Sequence, residues 1–336
     1  MNNSRRWFAM ILTSLLMACL TSVALAQGDN YDEDHQVEDY STTPLVQPTV
    51  EDFAPIPDAD GKPAAEAPLG MNGYLEVSDQ QKIFSLTPNY RFSEKFAMKA
   101  RLPYILERKR NYFGGEATSS GLGDISFDGE FTHRFNSPSK LLRLQATVKL
   151  PTGDNENIVG DDEVKIPLGT GSVDFMLRGQ FTRSTSKTGF LATALLRNNS
   201  SGESVFQREL YAGDTETQTI TTTNGNEFVA SAFGRYMVGS GFWLNLGASV
   251  MMTGNGESEN HTTDTIGGDW TTSSELNQKS TLLDLYPGVS YRFGPVTPYL
   301  GARIPLSTSY DNEFLVEERD SVFIFQLTYR PLAMVD

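Results

Sequence analysis

The chain has 336 residues, 39% of them hydrophobic, with 27 Lys or Arg against 42 Asp or Glu and a formal net charge of −15. That balance argues against a nucleic-acid partner, and no stretch beyond the N-terminus is apolar over about 18 residues, the length a membrane-crossing helix needs. Composition leaves a soluble β-sandwich and a transmembrane β-barrel both open, because half of every barrel strand faces the lumen and dilutes the mean hydropathy.

Arg5 and Arg6, followed by an apolar run from Trp7 to about Ala26 that closes on Ala24-Leu25-Ala26, form a secretion signal with cleavage expected after Ala26. Ser4-Arg5-Arg6-Trp7-Phe8 also fits a twin-arginine signal. That route carries folded proteins, whereas a barrel reaches the outer membrane unfolded, so the general route is favoured. Leu16-Met17-Ala18-Cys19 loosely resembles a lipoprotein box, but the apolar run continues past Cys19, and the later site discards the only cysteine. Losing residues 1–26 takes away two arginines and leaves 25 basic against 42 acidic residues. From Gly28 to Gly70, 11 Asp or Glu stand against one Lys, with six prolines and no apolar periodicity. Residues 27–70 are therefore expected to be a disordered acidic periplasmic arm.

Strand signals begin weakly at Leu69 to Val77, with Met71, Tyr74 and Leu75. From Gln80 to Phe92, Phe84, Leu86, Tyr90 and Phe92 alternate with Ser85, Thr87, Asn89 and Arg91. Ser93-Glu94 turns the chain, and Phe96 to Leu106 returns with Phe96, Met98, Ala100, Leu102 and Tyr104 on one face. A polar loop, Glu107 to Ser120, leads to the most regular stretch, Gly121 to Arg183. There Ile125, Phe127, Gly129, Phe131, His133 and Phe135 share one face of a strand whose other face is charged. Leu142, Leu144, Ala146, Val148 and Leu150 repeat the pattern, as do Val173, Phe175, Leu177, Gly179 and Phe181. Ser184 to Gly189 is a turn before Phe190, Ala192, Ala194 and Leu196. Asn198 to Asn226 reads as a long polar loop, Phe228 to Met237 and Phe242 to Thr253 as a hairpin, and Gly254 to Lys279 as a second long loop. Thr281 to Phe293, a Gly294-Pro295 turn and Tyr299 to Leu306 follow. After a last loop, Ser307 to Asp320, comes Val322 to Arg330, with Phe323, Phe325, Leu327 and Tyr329 on one face.

Long amphipathic strands joined alternately by short turns and long polar loops are the signature of an up-and-down transmembrane β-barrel. Eleven strands are explicit, and an even number is required if the arm starts in the periplasm. Residues 71–336 are thus expected to form an all-β, antiparallel barrel of about twelve strands, the first around Leu69 to Val77. Strands running toward the short turns end in an arginine near an aromatic: Tyr90-Arg91-Phe92, His133-Arg134-Phe135, Phe181-Thr182-Arg183, Arg235-Tyr236, Tyr291-Arg292-Phe293 and Tyr329-Arg330. With Phe96, Phe190, Phe242 and Tyr299 on the returning strands, they predict an aromatic girdle at the periplasmic rim.

By alternation Arg91, Arg134, Arg235, Arg292 and Arg330 point inward, while Arg183 points outward. Such a basic ring either selects anionic solutes or pairs with lumen acids and lipid phosphates. The inward faces also carry Lys99, Arg101, Asp124, Asp128, Glu130, Arg143, Lys149, Asp174, Arg178, Arg197, Asp284 and Arg303. These mixed signs favour cross-strand ion pairs such as Glu130 with Arg143, and hence a narrow or partly filled lumen. Asp154, Glu156, Asp161, Asp162 and Glu163 lack the EF-hand spacing and read as a solvated loop. His35, His133 and His261 are too scattered for a Ser/His/Asp set or a metal cluster. No enzymatic activity, metal or cofactor is expected.

Gly121-Leu122-Gly123-Asp124-Ile125, then Lys149-Leu150-Pro151-Thr152-Gly153-Asp154, then Gly169-Thr170-Gly171-Ser172-Val173-Asp174 together resemble a family of Gram-negative outer-membrane proteins named for the meta-pathway of phenol degradation. Arg101-Leu102-Pro103-Tyr104 fits the same family. The resemblance spans about Tyr74 to Tyr329 and implies a barrel of the fatty-acid and aromatic-hydrocarbon uptake type, with small hydrophobic compounds as solutes. The glycines fit close strand approach and tight loop entry beside the rim.

Two functions compete: a passive outer-membrane channel for a small molecule, and a non-conducting barrel that acts as a scaffold or surface-binding module through its long loops. The expected partners are outer-membrane lipid, lipopolysaccharide and the barrel-assembly machinery. A further expectation is that the acidic arm docks at the basic ring as a plug.

Overall fold

The computed structural model describes residues 68–112, 115–137, 139–154, 158–159, 164–209, 215–264, 268–276, 279–310 and 321–330. The signal segment and the arm as far as residue 67 lie outside them, as do the loop acids Glu156, Asp161, Asp162 and Glu163. The strands in chain order are β1 (Leu69–Val77), β2 (Gln81–Arg91), β3 (Phe96–Tyr112), β4 (Gly115–Leu122), β5 (Ser126–Arg134), β6 (Lys140–Lys149), β7 (Ile158–Val159), β8 (Val164–Lys165), β9 (Asp174–Ser184) and β10 (Thr188–Asn198). They continue with β11 (Ser201–Glu209), β12 (Thr215–Thr223), β13 (Glu227–Gly239), β14 (Phe242–Thr253), β15 (Gly256–Asp264), β16 (Gly268–Leu276), β17 (Ser280–Tyr291), β18 (Val296–Tyr310) and β19 (Val322–Tyr329).

In the ring β1, β2, β3, β5, β6, β9, β10, β13, β14, β17, β18 and β19, each strand pairs antiparallel with the next. β19 then pairs back onto β1, from Met71 opposite Tyr329 to Val77 opposite Phe323, so the sheet closes. Twelve strands form the barrel, the number that parity demands, and the weak segment Leu69–Val77 is its first. Closure leaves no sheet edge whose N–H and C=O groups would go unsatisfied in hydrocarbon.

The apolar faces are the exposed ones. Along β5, Ser126, Asp128, Glu130 and Thr132 are buried in the interior while Phe127 and Gly129 face out. On β9 and β10 the outward Leu177 and Leu196 are 62% and 58% exposed. A soluble sheet would bury these side chains; an outer surface of Phe and Leu around an interior of buried Asp, Glu and Lys is that of a transmembrane barrel whose outer solvent is lipid.

At the short-turn rim, Ser93 Oγ accepts from the backbone N–H groups of Lys95 and Phe96 at 3.3 and 3.1 Å. Gly241 and Gly294 supply left-handed corners, with φ of +82° and +61°. Tyr90, Phe92, Phe96, Phe135, Phe190, Tyr236, Tyr291, Phe293 and Tyr329 all stand exposed near this rim. Tyr90 with Phe92 and His133 with Phe135 meet edge to face at 4.9 and 5.1 Å. Tyr299 is not part of this girdle. Starting β18 at Val296 puts Thr297 and Tyr299 in the inward phase, and Tyr299 is only 7% exposed.

The opposite rim also departs from expectation. Glu107 to Ser120 is not a loop: β3 runs on to Tyr112 and β4 pairs back onto it. Asn198 to Asn226 and Gly254 to Lys279 contain the hairpins β11–β12 and β15–β16, which join through β12 and β15 into a four-stranded sheet. These strands continue from the long-loop ends of β10, β13, β14 and β17 and lie outside the twelve-strand ring. Their Thr-rich sequence has strand propensity without the apolar alternation that marks a membrane strand.

Candidate functional site

Following the ladders around the ring arranges the inward side chains in rows. Gln145, Arg178, Leu195, Val229, Met251 and Leu282 make one row across β6, β9, β10, β13, β14 and β17. The next row toward the short-turn rim is polar, with Arg143, Gln180, Thr193, Ser231, Ser249 and Asp284. Below it come Leu141, Thr182, Leu191, Phe233, Gly247 and Tyr286. From β10 round to β1 the inner side carries two buried apolar clusters set among polar rows. Leu195, Val229, Met251 and Leu282 pack with Met176, and Leu191, Phe233 and Tyr286 pack with Tyr74, Tyr299 and Ile324.

Inward glycines make room for the rings. A Cβ at Gly247 would fall 1.7 Å from the Phe233 ring, and one at Gly288 would fall 2.4 Å from the Tyr299 hydroxyl oxygen. Both rings therefore lie across the backbone of a neighbouring strand. Phe233 meets Tyr286 edge to face at 5.5 Å. The Tyr286 hydroxyl accepts from Ser249 Oγ at 3.2 Å and donates to Asp284 at 3.5 Å.

The wall from β3 to β10 is charged instead. Buried Glu130 receives Lys99 Nζ at 2.9 Å and lies 3.6 Å from Arg143 Nε. Arg91 is a further cationic neighbour. Asp128 accepts from Thr147 Oγ1 at 2.6 Å. Arg101 is half-buried opposite Ser126, and Arg303, on β18, has Glu76 and Asp284 as its acidic neighbours. At the long-loop end of the β2–β3 ladder, Lys82 Nζ donates to Glu107 at 2.8 Å and holds that carboxyl below its ordinary range.

The three glycine-rich motifs meet at the long-loop rim. Lys149 Nζ lies 2.5 Å from Asp174 Oδ2 and 3.5 Å from Asp124 Oδ2, with all three side chains essentially inaccessible. Arg197 extends the chain, 2.8 Å from Asp174 and 3.3 Å from Glu227. The Asp124 carboxylate also accepts from Gly153 N at 3.0 Å, Thr170 N at 2.8 Å and the Thr170 hydroxyl at 3.0 Å. A Cβ at Gly153 would sit 2.8 Å from Gly169 Cα, so the two ends of the β6–β9 connection touch backbone to backbone. Thus pinned, the connection turns inward. Ile166 to Gly169 are buried, Leu168 packs on Ile83 and Ile105, and Arg108 donates to the Pro167 carbonyl at 2.6 Å. These motif residues clamp the rim.

The five ring arginines are not equivalent. Arg91 and Arg134 end β2 and β5 half-buried, and Arg330 follows β19. Arg292 is exposed, its Nε 3.5 Å from the Gly294 carbonyl. Arg235 is buried one row further in, 4.6 Å over the Trp243 ring and 3.3 Å from Ser184 Oγ, with Arg292 and Arg330 as charged neighbours. Among the described residues no group of His, Cys, Asp and Glu is arranged to hold a metal ion.

Fold and wall chemistry together define a β-barrel of the outer-membrane, porin-like class. No family model matches the chain, and no curated protein matches it. Among solved structures it superposes on the COG4313 outer-membrane channel from Pseudomonas putida F1 with a TM-score of 0.52 and 14% identity, over 82% of this chain and 98% of that one. The NanC porin aligns more loosely, with a TM-score of 0.41 and 8% identity over 78% and 98%. The first likeness supports the twelve-stranded fold.

The two buried apolar clusters are not among the residues that alternation singles out. The available signal was a set of strands apolar in both phases, such as Phe190-Leu191, Leu195-Leu196, Leu282-Leu283 and Phe323-Ile324.

Proposed function

We propose that the protein is an outer-membrane channel that passes small hydrophobic or aromatic compounds through its lumen without an energy source. The observation that carries this reading is the two apolar clusters of Leu, Val, Met, Phe, Tyr and Ile that stand among the polar rows inside the barrel between β9 and β1. A barrel that passes only hydrophilic solutes has a polar interior, and apolar clusters in the interior suit solutes with an apolar body. The short-turn rim then faces the periplasm, with residues 27–67 entering from that side, and the outward aromatics anchor in the inner leaflet. Lipopolysaccharide and the barrel-assembly machinery are the partners that this location implies. The resemblance of the three motifs to the phenol-degradation family supports aromatic solutes.

A second reading, a non-conducting scaffold, is favoured by the ion-paired wall and by the inward-turned Ile166 to Gly169. Planar-bilayer conductance of the purified protein, paired with its gel mobility before and after boiling, decides between them. Folded protein with single-channel steps supports the channel, and folded protein with no steps supports the scaffold.

A further inference from the structure

The inward cations on the β3–β10 wall mostly sit on carboxylates: Lys99 and Arg143 on Glu130, Lys149 and Arg197 on Asp174. Arg178 does not. It stands midway along β9, half-buried, between Gln145 on β6 and Leu195 on β10. Among the described residues no carboxylate or other acceptor reaches it, and its Nε is buried without one. The buried Nε has lost water and gained no acceptor; the guanidinium is shaped to take a planar carboxylate on two parallel N–H groups. Directly beside it begins the apolar row Leu195, Val229, Met251 and Leu282, four strands and about 14 Å wide at the usual strand spacing. Cation and apolar row lie at one level of the barrel interior, the row's side chains packed on one another and on Met176.

We propose that the lumen binds and passes amphiphilic organic monoanions, with the carboxylate held by Arg178 and a short alkyl or aryl body lying along Leu195, Val229 and Met251. This deepens the channel reading and rests on it. Neutral molecules of the same shape forgo the charge-assisted hydrogen bonds, and amines meet repulsion from Arg178 and, one row away, from Arg143. Each methylene laid on the row strengthens binding about fourfold until the row is filled.

The test is blockade of single-channel current in planar bilayers by 4-phenylbutyrate, 4-phenylbutanol and 4-phenylbutylamine, with acetate as an anion lacking a body. The expected result is half-blockade by phenylbutyrate at a concentration at least tenfold below those of the alcohol and the amine, with acetate weakest. In Arg178→Gln, checked for folding by its mobility shift, the preference for phenylbutyrate over the alcohol collapses. In Val229→Asn phenylbutyrate weakens while acetate is unchanged. Equal blockade by the three phenyl compounds, or a preference that survives in Arg178→Gln, overturns the proposal while leaving the channel reading intact. A folded but silent wild-type barrel overturns the channel reading. Calorimetric titration of the same protein then decides the site: phenylbutyrate heat that disappears in Arg178→Gln supports it, and equal heats remove it.

Discussion

Asp124→Ala should loosen the clamp at the long-loop rim, and the structure sets the size of the effect. The carboxylate accepts from two backbone N–H groups, of Gly153 and Thr170, and from the Thr170 hydroxyl, and it lies near Lys149. The hydroxyl can turn to Ser172 Oγ at 3.0 Å, and Lys149 keeps Asp174 at 2.5 Å, so neither is stranded. Two buried backbone donors are left without an acceptor, at about 1–3 kcal/mol each, so the variant should lose about 2–6 kcal/mol. Asp124→Asn keeps one acceptor oxygen and should fall between the variant and the wild type. The assay is guanidinium unfolding of protein refolded into lipid vesicles, read by tryptophan fluorescence and by gel mobility. A loss under about 1 kcal/mol, below the range for even one stranded donor, would mean that water replaces the carboxylate and that Asp124 does not pin the rim.

The glycine seats predict that Gly247→Val displaces Phe233, whose ring would lie 1.7 Å from the new Cβ; overpacking of this kind costs about 1–3 kcal/mol. Adding Phe233→Ala should recover part of that loss in the same unfolding assay. Leu177→Arg, on the lipid face of β9, should cost about 2–4 kcal/mol, whereas Phe96→Arg at the rim should cost about 0–1 kcal/mol, and equal losses would contradict the assigned depths. The Lys82–Glu107 pair stabilises the long-loop end of the β2–β3 ladder when Glu107 is ionised. Because its folded carboxyl is depressed by the hydrogen bond from Lys82, that stability is present above the ordinary carboxylate range and is lost as pH falls through the depressed value. Hydrogen exchange at Lys109 and Arg110 should therefore differ between wild type and Glu107→Gln at pH 7 and converge in acid.

Strand faces were legible because lipid and lumen impose opposite chemistry on alternate residues: Phe127, Phe131 and Phe135 against Asp128, Glu130 and Arg134. Where both neighbours of a strand are apolar the contrast vanishes. Leu191, Val229 and Ile324 read as ordinary strand residues, yet they line the lumen. The hairpins above the rim escaped notice for a related reason: outside the membrane, Thr221 and Thr223 need no apolar alternation to hold a strand. Tyr299 shares the phase of Arg303 on β18, so the alternation that turns Arg303 inward also turns Tyr299 inward and away from the girdle. The motif glycines could be tied to a family, but nothing in the sequence brings Gly153 against Gly169. That contact requires β5, β6 and β9 to be neighbours.

The two halves of the wall need one another. A strand with apolar residues in both phases, such as β10 with Leu191 and Leu195 or β19 with Val322 and Ile324, has a register less strongly specified than one whose inner face is charged throughout. On β5, β6 and β9 a slip by one residue would turn Asp128, Arg143 or Lys149 toward lipid, at a cost that rises to about 2–4 kcal/mol for a basic residue at the midplane and falls to about 0–1 kcal/mol near the rims. Their ion pairs, made across β3–β5, β5–β6, β6–β9 and β9–β10, lock four consecutive interfaces. Closure through β1 and β19 then transmits that register around the ring. The charged wall thus fixes the frame in which the remaining strands can carry apolar clusters inside as well as an apolar outer face.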